Sequence, residues 1–100
     1  MRGTKFIAAR ANRPGMRRLW RKISRLANRL DAGNWHRLME CVENMERDAA
    51  AIFRPELRVR LVGHTDTEHQ AAMAFAADEL TARSALCMVQ EMLTAQRERD

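Results

Sequence analysis

Apolar residues recur three and four positions apart along much of this chain, which is the spacing of one face of an α-helix. The first such stripe covers residues 14 to 30, and Pro14 suits its first turn because the missing N–H group would have no partner there. The members of this stripe are Met16, Leu19, Trp20, Ile23, Leu26, Ala27 and Leu30. A second stripe runs from residue 35 to residue 53 and stops before Pro55. The two stripes predict two amphipathic helices.

The segment between these helices carries residues that end one helix and start another. We expect Gly33 to take the left-handed conformation that often follows a helix, and Asn34 to cap the second helix. A connection this short favours an antiparallel helical hairpin.

Residues 55 to 63 break the helical spacing. Apolar and basic positions alternate there, as in a short strand, but no second strand is apparent that could pair with it. The segment is therefore expected to be either an extended connector or a helical turn.

A long helix is predicted after Gly63. Two overlapping capping boxes, at residues 65 to 68 and 67 to 70, precede a stretch without glycine or proline. The apolar stripe of this stretch changes face around residues 78 to 81. The pattern thus predicts either one long helix or two helices with a kink at that point.

Together these elements predict an all-α fold of three to four helices, in which the N-terminal hairpin packs against the long C-terminal helix. We expect residues 1–100 to form one compact domain with a basic N-terminal arm at 1–12, since 46% of the residues are apolar and only four are glycine and two are proline. The predicted core consists of stripe residues, namely Leu19, Trp20, Ile23, Leu26, Leu30, Trp35, Leu38, Val42, Met45, Ile52, Phe53, Leu80, Leu86, Val89 and Leu93.

Positive charge is concentrated at the start of the chain. The net charge is +5, yet residues 1 to 30 contain ten Lys or Arg and no Asp or Glu. This imbalance favours an anionic partner, either phosphate or carboxylate, although a solvated basic face or docking onto the acidic remainder of the chain would give the same pattern. The candidate partner-binding residues are Arg10, Arg13, Arg17, Arg18, Arg21, Lys22, Arg25 and Arg29.

Two familiar uses of a basic helix are disfavoured. A helix-turn-helix DNA reader needs a polar or basic second helix, and the second helix here carries acidic residues. A membrane-surface helix would leave the second stripe without a packing partner.

The apolar run of residues 6 to 9 is too short for a signal peptide, and the run of residues 71 to 77 is too short for a membrane span. We expect a cytoplasmic protein without a membrane partner.

No pattern indicates catalysis, so we expect neither an enzyme nor a cofactor. The chain has no phosphate-binding loop, no paired-carboxylate spacing and no nucleophile with a recognisable base. Residue types that bind metals are present but lack close ligand spacing, so no metal site is expected: His36, Cys41, His64, His69 and Cys87. We expect both cysteines to be reduced and packed as small apolar residues.

A local motif resembles another class of protein. The run Gly63-His64-Thr65-Asp66 resembles the G-H-T-D motif of outer-membrane-protein-A-like peptidoglycan-binding domains, and residues 80 to 83 (Leu-Thr-Ala-Arg) resemble that family's later L-S-x-x-R-A pattern. In that family the aspartate and the arginine hold diaminopimelate. The resemblance therefore implies this role for Asp66 and Arg83, with the arginine one position early.

In general character the chain resembles small proteins encoded by bacteriophages and mobile elements. It is short, rich in Arg, Ala and Met, and free of catalytic motifs, like the anti-CRISPR inhibitors that occlude a host effector complex. This resemblance implies a non-enzymatic binding protein whose basic helix engages a nucleoprotein complex or its acidic surface. The alternatives are a small DNA- or RNA-associated regulator that binds the phosphate backbone, and a peptidoglycan-binding module.

Overall fold

A computed structural model of the chain describes residues 10–11, 15–52 and 66–99. Within them the chain forms three helices and no strand: α1 (Arg17–Ala27), α2 (Ala32–Ile52) and α3 (Asp66–Arg99). The two N-terminal helices pack against the long C-terminal helix, as the sequence predicts. The connector at 55–63, Phe53, the side chain of Ile52 and most of the arm at 1–12 lie outside the described residues.

Helix α1 is shorter than the predicted span of residues 14 to 30. The chain turns at Gly15, whose φ of 78° lies outside the right-handed helical region, so the helix begins at Arg17. At the other end, the N–H groups of Arg29 and Leu30 donate to carbonyls three residues back, at 3.0 and 3.1 Å. Such bonds close the last turn more tightly than an α-helix does, and α1 ends at Ala27.

The predicted cap of the second helix is wrong by one turn. Helix α2 begins at Ala32, so Gly33 lies in its first turn and does not have a positive φ. Asp31 is the capping residue, because its Oδ1 accepts a hydrogen bond from the N–H of Asn34 at 2.8 Å and its carbonyl oxygen accepts one from the N–H of Trp35 at 2.9 Å. Asn34 instead turns a buried side chain towards α3.

Helix α3 is the element against which the core is built. Among the described helices, its interfaces with α1 and with α2 are the extensive ones. Ala82 and Ala85 are fully buried in α3, and their small side chains let both neighbours approach its backbone. The largest fully buried side chains are Trp20, Ile23, Leu38, Val42 and Val89, all of them predicted core residues. The remaining predicted core residues that pack partly buried against them are Leu19, Leu26, Leu30, Trp35, Met45, Leu86 and Leu93.

Leu80 is the exception, since 68% of its surface is exposed. Helix α3 continues unbroken through residues 78 to 81 and spans about 51 Å at 1.5 Å per residue. The face of Ala72, Ala76 and Leu80 is therefore carried away from the face of Ala85, and all three residues are exposed. The prediction that Leu80 lies in the core is wrong because the two halves of α3 bear their apolar residues on different sides.

Candidate partner-binding surface

Six of the eight predicted cations lie together on one exposed surface. We name this surface the cationic face; it consists of Arg17, Arg18, Arg21, Lys22, Arg25 and Arg29, all exposed. At about 100° per residue, the cations of α1 lie on the side of the helix opposite to Trp20, Ile23 and Ala27. The face is thus a direct result of the core, because the apolar stripe fixes which side of α1 meets solvent.

The charges of the cationic face are not neutralised by the described part of the chain. None of the six side chains forms an ion pair with a described acid; the ion pairs outside this face join Arg10 to Glu46, Arg83 to Glu79, and Arg99 to Asp31. Neighbouring like charges on a helix repel each other. An anion bound along α1 would relieve that repulsion, so the cationic face is suited to binding anionic groups.

Arg10, also predicted to bind a partner, has a different role. It is only 9% exposed, and its guanidinium forms an ion pair with the carboxylate of Glu46 in α2. Nε donates to Oε2 at 2.8 Å, Nη2 donates to Oε1, and the guanidinium carbon lies 5.9 Å from the ring centroid of Trp20. Its charge is used inside the fold, so we remove Arg10 from the candidate contact residues. Arg13 lies outside the described residues.

A groove of about 390 Å³ adjoins the cationic face where the start of α1 meets the middle of α3. We name it the apolar groove. Its apolar lining is Met16, Leu19, Phe75 and Leu86, and its polar lining is Arg18, Lys22, Glu79 and Arg83. Arg18 and Lys22 belong to both surfaces, so the groove and the cationic face are continuous.

One end of the apolar groove depends on a close contact between Gly15 and Phe75. A Cβ atom placed on Gly15 would lie 2.6 Å from Cε2 of Phe75, a distance that forces atoms to move. The positive φ of Gly15 adds a second reason for glycine at this position. Sequence reasoning overlooked Phe75, which is 45% exposed. Its only signal was an aromatic residue inside the alanine-rich run of residues 71 to 77.

A cluster of hydrogen bonds joins the connection between α1 and α2 to α3. Oε1 of Gln96 accepts from the N–H of Asp31 at 2.8 Å and from Nδ2 of Asn34 at 2.9 Å, while its Nε2 donates to the carbonyl of Arg29 at 3.3 Å. Nη2 of Arg99 pairs with Oδ2 of Asp31 at 3.1 Å. The cluster joins the α1–α2 connection, including Arg29 of the cationic face, to α3. No local sequence pattern predicted it.

The other candidate residues do not assemble into a site within the described structure. No group of three or more His, Cys, Asp or Glu residues that could hold a metal occurs among the described residues. Both cysteines are free; Cys41 is half-buried, but Cys87 is exposed, so the expectation that it packs inside is wrong. It lies on the side of α3 that faces away from α1 and α2.

The two residues implied by the peptidoglycan-binding resemblance are far apart. Asp66 and Arg83 lie seventeen positions from each other on the same helix, which corresponds to about 25 Å along its axis. Arg83 instead forms an ion pair with Glu79, at 2.9 Å. The side chain of Asp66 and residues 63 to 65 lie outside the described part of the chain, so the role that the resemblance implies stays a prediction.

No protein-family model matches this chain, and no curated protein or solved structure matches it. None of the described helices is long and apolar enough to cross a membrane. The charge and shape of the cationic face and of the apolar groove are therefore the basis for a functional proposal.

Proposed function

We propose that the protein is a non-enzymatic, cytoplasmic binding protein whose cationic face engages the acidic surface of a protein or nucleoprotein complex. The observation that carries this proposal is the set of six exposed cations on and just after α1, none of which is paired with a described acid. An inhibitor of the phage type, which occludes a host nucleic-acid-targeting complex such as a CRISPR-Cas effector, could act through such a surface. The general resemblance of the chain to these inhibitors supports that role.

The alternative is a small DNA- or RNA-associated regulator that binds the phosphate backbone. Five of the six residues in the cationic face are arginines, whose planar guanidinium groups can form bidentate hydrogen bonds with either phosphate or carboxylate. Contacts to the phosphate backbone carry no sequence information, so such binding would be indifferent to sequence. The two readings differ in whether capture of the partner survives removal of nucleic acid.

The test is affinity purification from a bacterial host lysate, with and without nuclease, using the wild-type chain and two charge-reversal variants. Arg21→Glu changes the cationic face, while Arg97→Glu makes the same change of charge at an exposed position near the end of α3. We expect a stoichiometric protein partner that survives nuclease. Its affinity should fall about tenfold or more in Arg21→Glu, the effect of about 1.4 kcal/mol, and stay unchanged in Arg97→Glu.

Two results would decide against this proposal. If nuclease removes the partner, and affinity for random duplex falls steeply with salt, phosphate contact is the function and the regulator alternative holds. If Arg21→Glu and Arg97→Glu retain the partner equally well, the cationic face does not carry the binding.

A further inference from the structure

The apolar groove shares two of its cations with the cationic face. Arg18 and Lys22 are four residues apart on α1 and therefore point to the same side of the helix, next to Leu19. Across the groove, α3 contributes Phe75, which is 45% exposed, and Leu86. A ligand on the cationic face would thus meet an apolar recess beside two of the charges that attract it.

We propose that the apolar groove docks an acidic helical segment of the partner protein, which inserts one large apolar side chain between Leu19, Phe75 and Leu86. Carboxylates of the same segment then lie beside Arg18 and Lys22. This inference rests on the proposed function, since it assumes a partner on the cationic face, and it specifies the chemistry of that partner. It corresponds to an amphipathic helix seated in a groove with a single anchor residue.

Charge complementarity identifies the occupant as acidic. The rim of the groove carries Arg18, Lys22 and Arg83, and the one acid among its described residues, Glu79, is already paired with Arg83 through a bond of 3.0 Å from Nε. The rim therefore keeps an excess of positive charge. An anchor flanked by lysines or arginines would be repelled, so the rim selects against basic segments as well as for acidic ones.

The apolar lining of the groove favours an aliphatic or aromatic side chain as the anchor. The volume of about 390 Å³ lies within the range of about 300 to 1,000 Å³ that is typical of ligand-binding pockets. Beyond Phe75 the apolar part of the described lining consists of Leu19, Leu86 and the thioether side chain of Met16, which adapts to a branched side chain. A nucleotide strand would present planar bases to a groove whose described lining has one aromatic ring, whereas stacking platforms for single strands use successive aromatic side chains.

The test uses two synthetic helical peptides that are rich in glutamate and identical except for one central residue, leucine in one and alanine in the other. Binding to the full chain is followed by NMR of side-chain methyl groups. We expect the leucine peptide to shift the methyl signals of Leu19 and Leu86 and to leave those of the fully buried Val89 unchanged. The leucine peptide should bind about tenfold more tightly than the alanine peptide, as expected for one well-buried side chain worth about 1.4 kcal/mol.

The preference for leucine over alanine separates the groove from the cationic face. In Phe75→Ala the preference should fall to about twofold or less, because one wall of the groove is missing while every cation remains; this figure follows from the loss of roughly 1 kcal/mol of anchor contact. In Arg21→Glu both peptides should weaken together, with the preference retained. Arg97→Glu is the control and should change neither quantity. Circular dichroism of Phe75→Ala verifies that the helices remain folded.

Each contrary result has a distinct meaning. If wild type binds both peptides equally, or fails to bind the leucine peptide, the groove inference is overturned while the cationic face can still bind an acidic surface. If an oligothymidine strand shifts the same methyl signals at lower concentration than the leucine peptide, the occupant is a nucleic acid strand and the inference is wrong. If the leucine preference is present but Arg21→Glu weakens neither peptide, the proposed function fails and the groove remains.

Discussion

Replacing Gln96 by alanine should weaken the fold at the point where α3 holds the α1–α2 connection. The substitution removes the acceptor of two hydrogen bonds, from the N–H of Asp31 at 2.8 Å and from Nδ2 of Asn34 at 2.9 Å, and the donor of a longer bond to the carbonyl of Arg29 at 3.3 Å. Asn34 is only 8% exposed, so water cannot fully replace the bond that its amide loses.

The expected loss follows from these distances and from burial. A hydrogen bond contributes about 0.5 to 1.5 kcal/mol net, and a buried donor left without an acceptor costs about 1 to 3 kcal/mol. The two short bonds dominate, because the third, at 3.3 Å, is longer and therefore weaker. We therefore expect the free energy of unfolding to fall by about 1 to 3 kcal/mol, which is a large share of the roughly 5 to 15 kcal/mol that stabilises a typical domain.

Urea unfolding followed by far-UV circular dichroism measures this loss. Gln90→Ala is the matched control, since Gln90 is an exposed glutamine of the same helix and the change gives the same gain in helix propensity. If Gln96→Ala and Gln90→Ala unfold within about 0.5 kcal/mol of each other, the cluster does not hold the connection and the reasoning is refuted. A double-mutant cycle with Asn34→Ala should show coupling of at least about 0.5 kcal/mol.

Two further predictions concern an ion pair and the packing of α3. Glu46→Gln should lower the free energy of unfolding by about 1 to 3 kcal/mol in urea titrations, because Arg10 is buried beside it, whereas Glu79→Gln at the exposed pair should change it by less than about 0.5 kcal/mol. Equal losses of stability in Glu46→Gln and Glu79→Gln would show that burial of an ion pair does not determine its contribution to the free energy of unfolding. Ala85→Leu should cost about 1 to 3 kcal/mol by overfilling the contact with α1 and α2, while Leu80→Ala should be neutral within about 0.5 kcal/mol; a larger loss at Leu80 would place it in a contact that the structure does not show.

Periodicity was sufficient for α1 and α2 because each bears a single apolar stripe. Trp20 and Ile23 in α1, and Leu38 and Val42 in α2, could be assigned to the core from spacing alone, and the structure buries all four. Helix α3 is different, since its alanine-rich first half offers apolar residues on more than one side. Only contact with α1 and α2 selects the buried side, which is why Leu80 was misplaced.

The misassigned cap and the overlooked contacts share a physical origin. Asp and Asn are equally good capping residues, so the order Asp31-Ala32-Gly33-Asn34 allows two helix starts. Gln96 favours the helix start at Ala32, because its side chain binds Asn34 from 62 positions away. Arg10 likewise meets its carboxylate 36 positions along the chain. The spacing of residues within a short segment does not reveal polar pairs at such separations. Neither the hydrogen-bond cluster around Gln96 nor the role of Arg10 could therefore be predicted.

The position of α3 in the core also constrains how the chain acquires its structure during synthesis. Residues are added from the N-terminus at about 5 to 20 per second, so α1 and α2 emerge before Ala82, Ala85 and Val89 exist. Until then Trp20 and Leu38 lack the surface that buries them in the finished fold. The ten cations of residues 1 to 30, with no acid among them, make two unfinished chains repel each other through this interval. The six cations that we assign to partner binding are among these ten, and they would thus also oppose aggregation of the nascent protein.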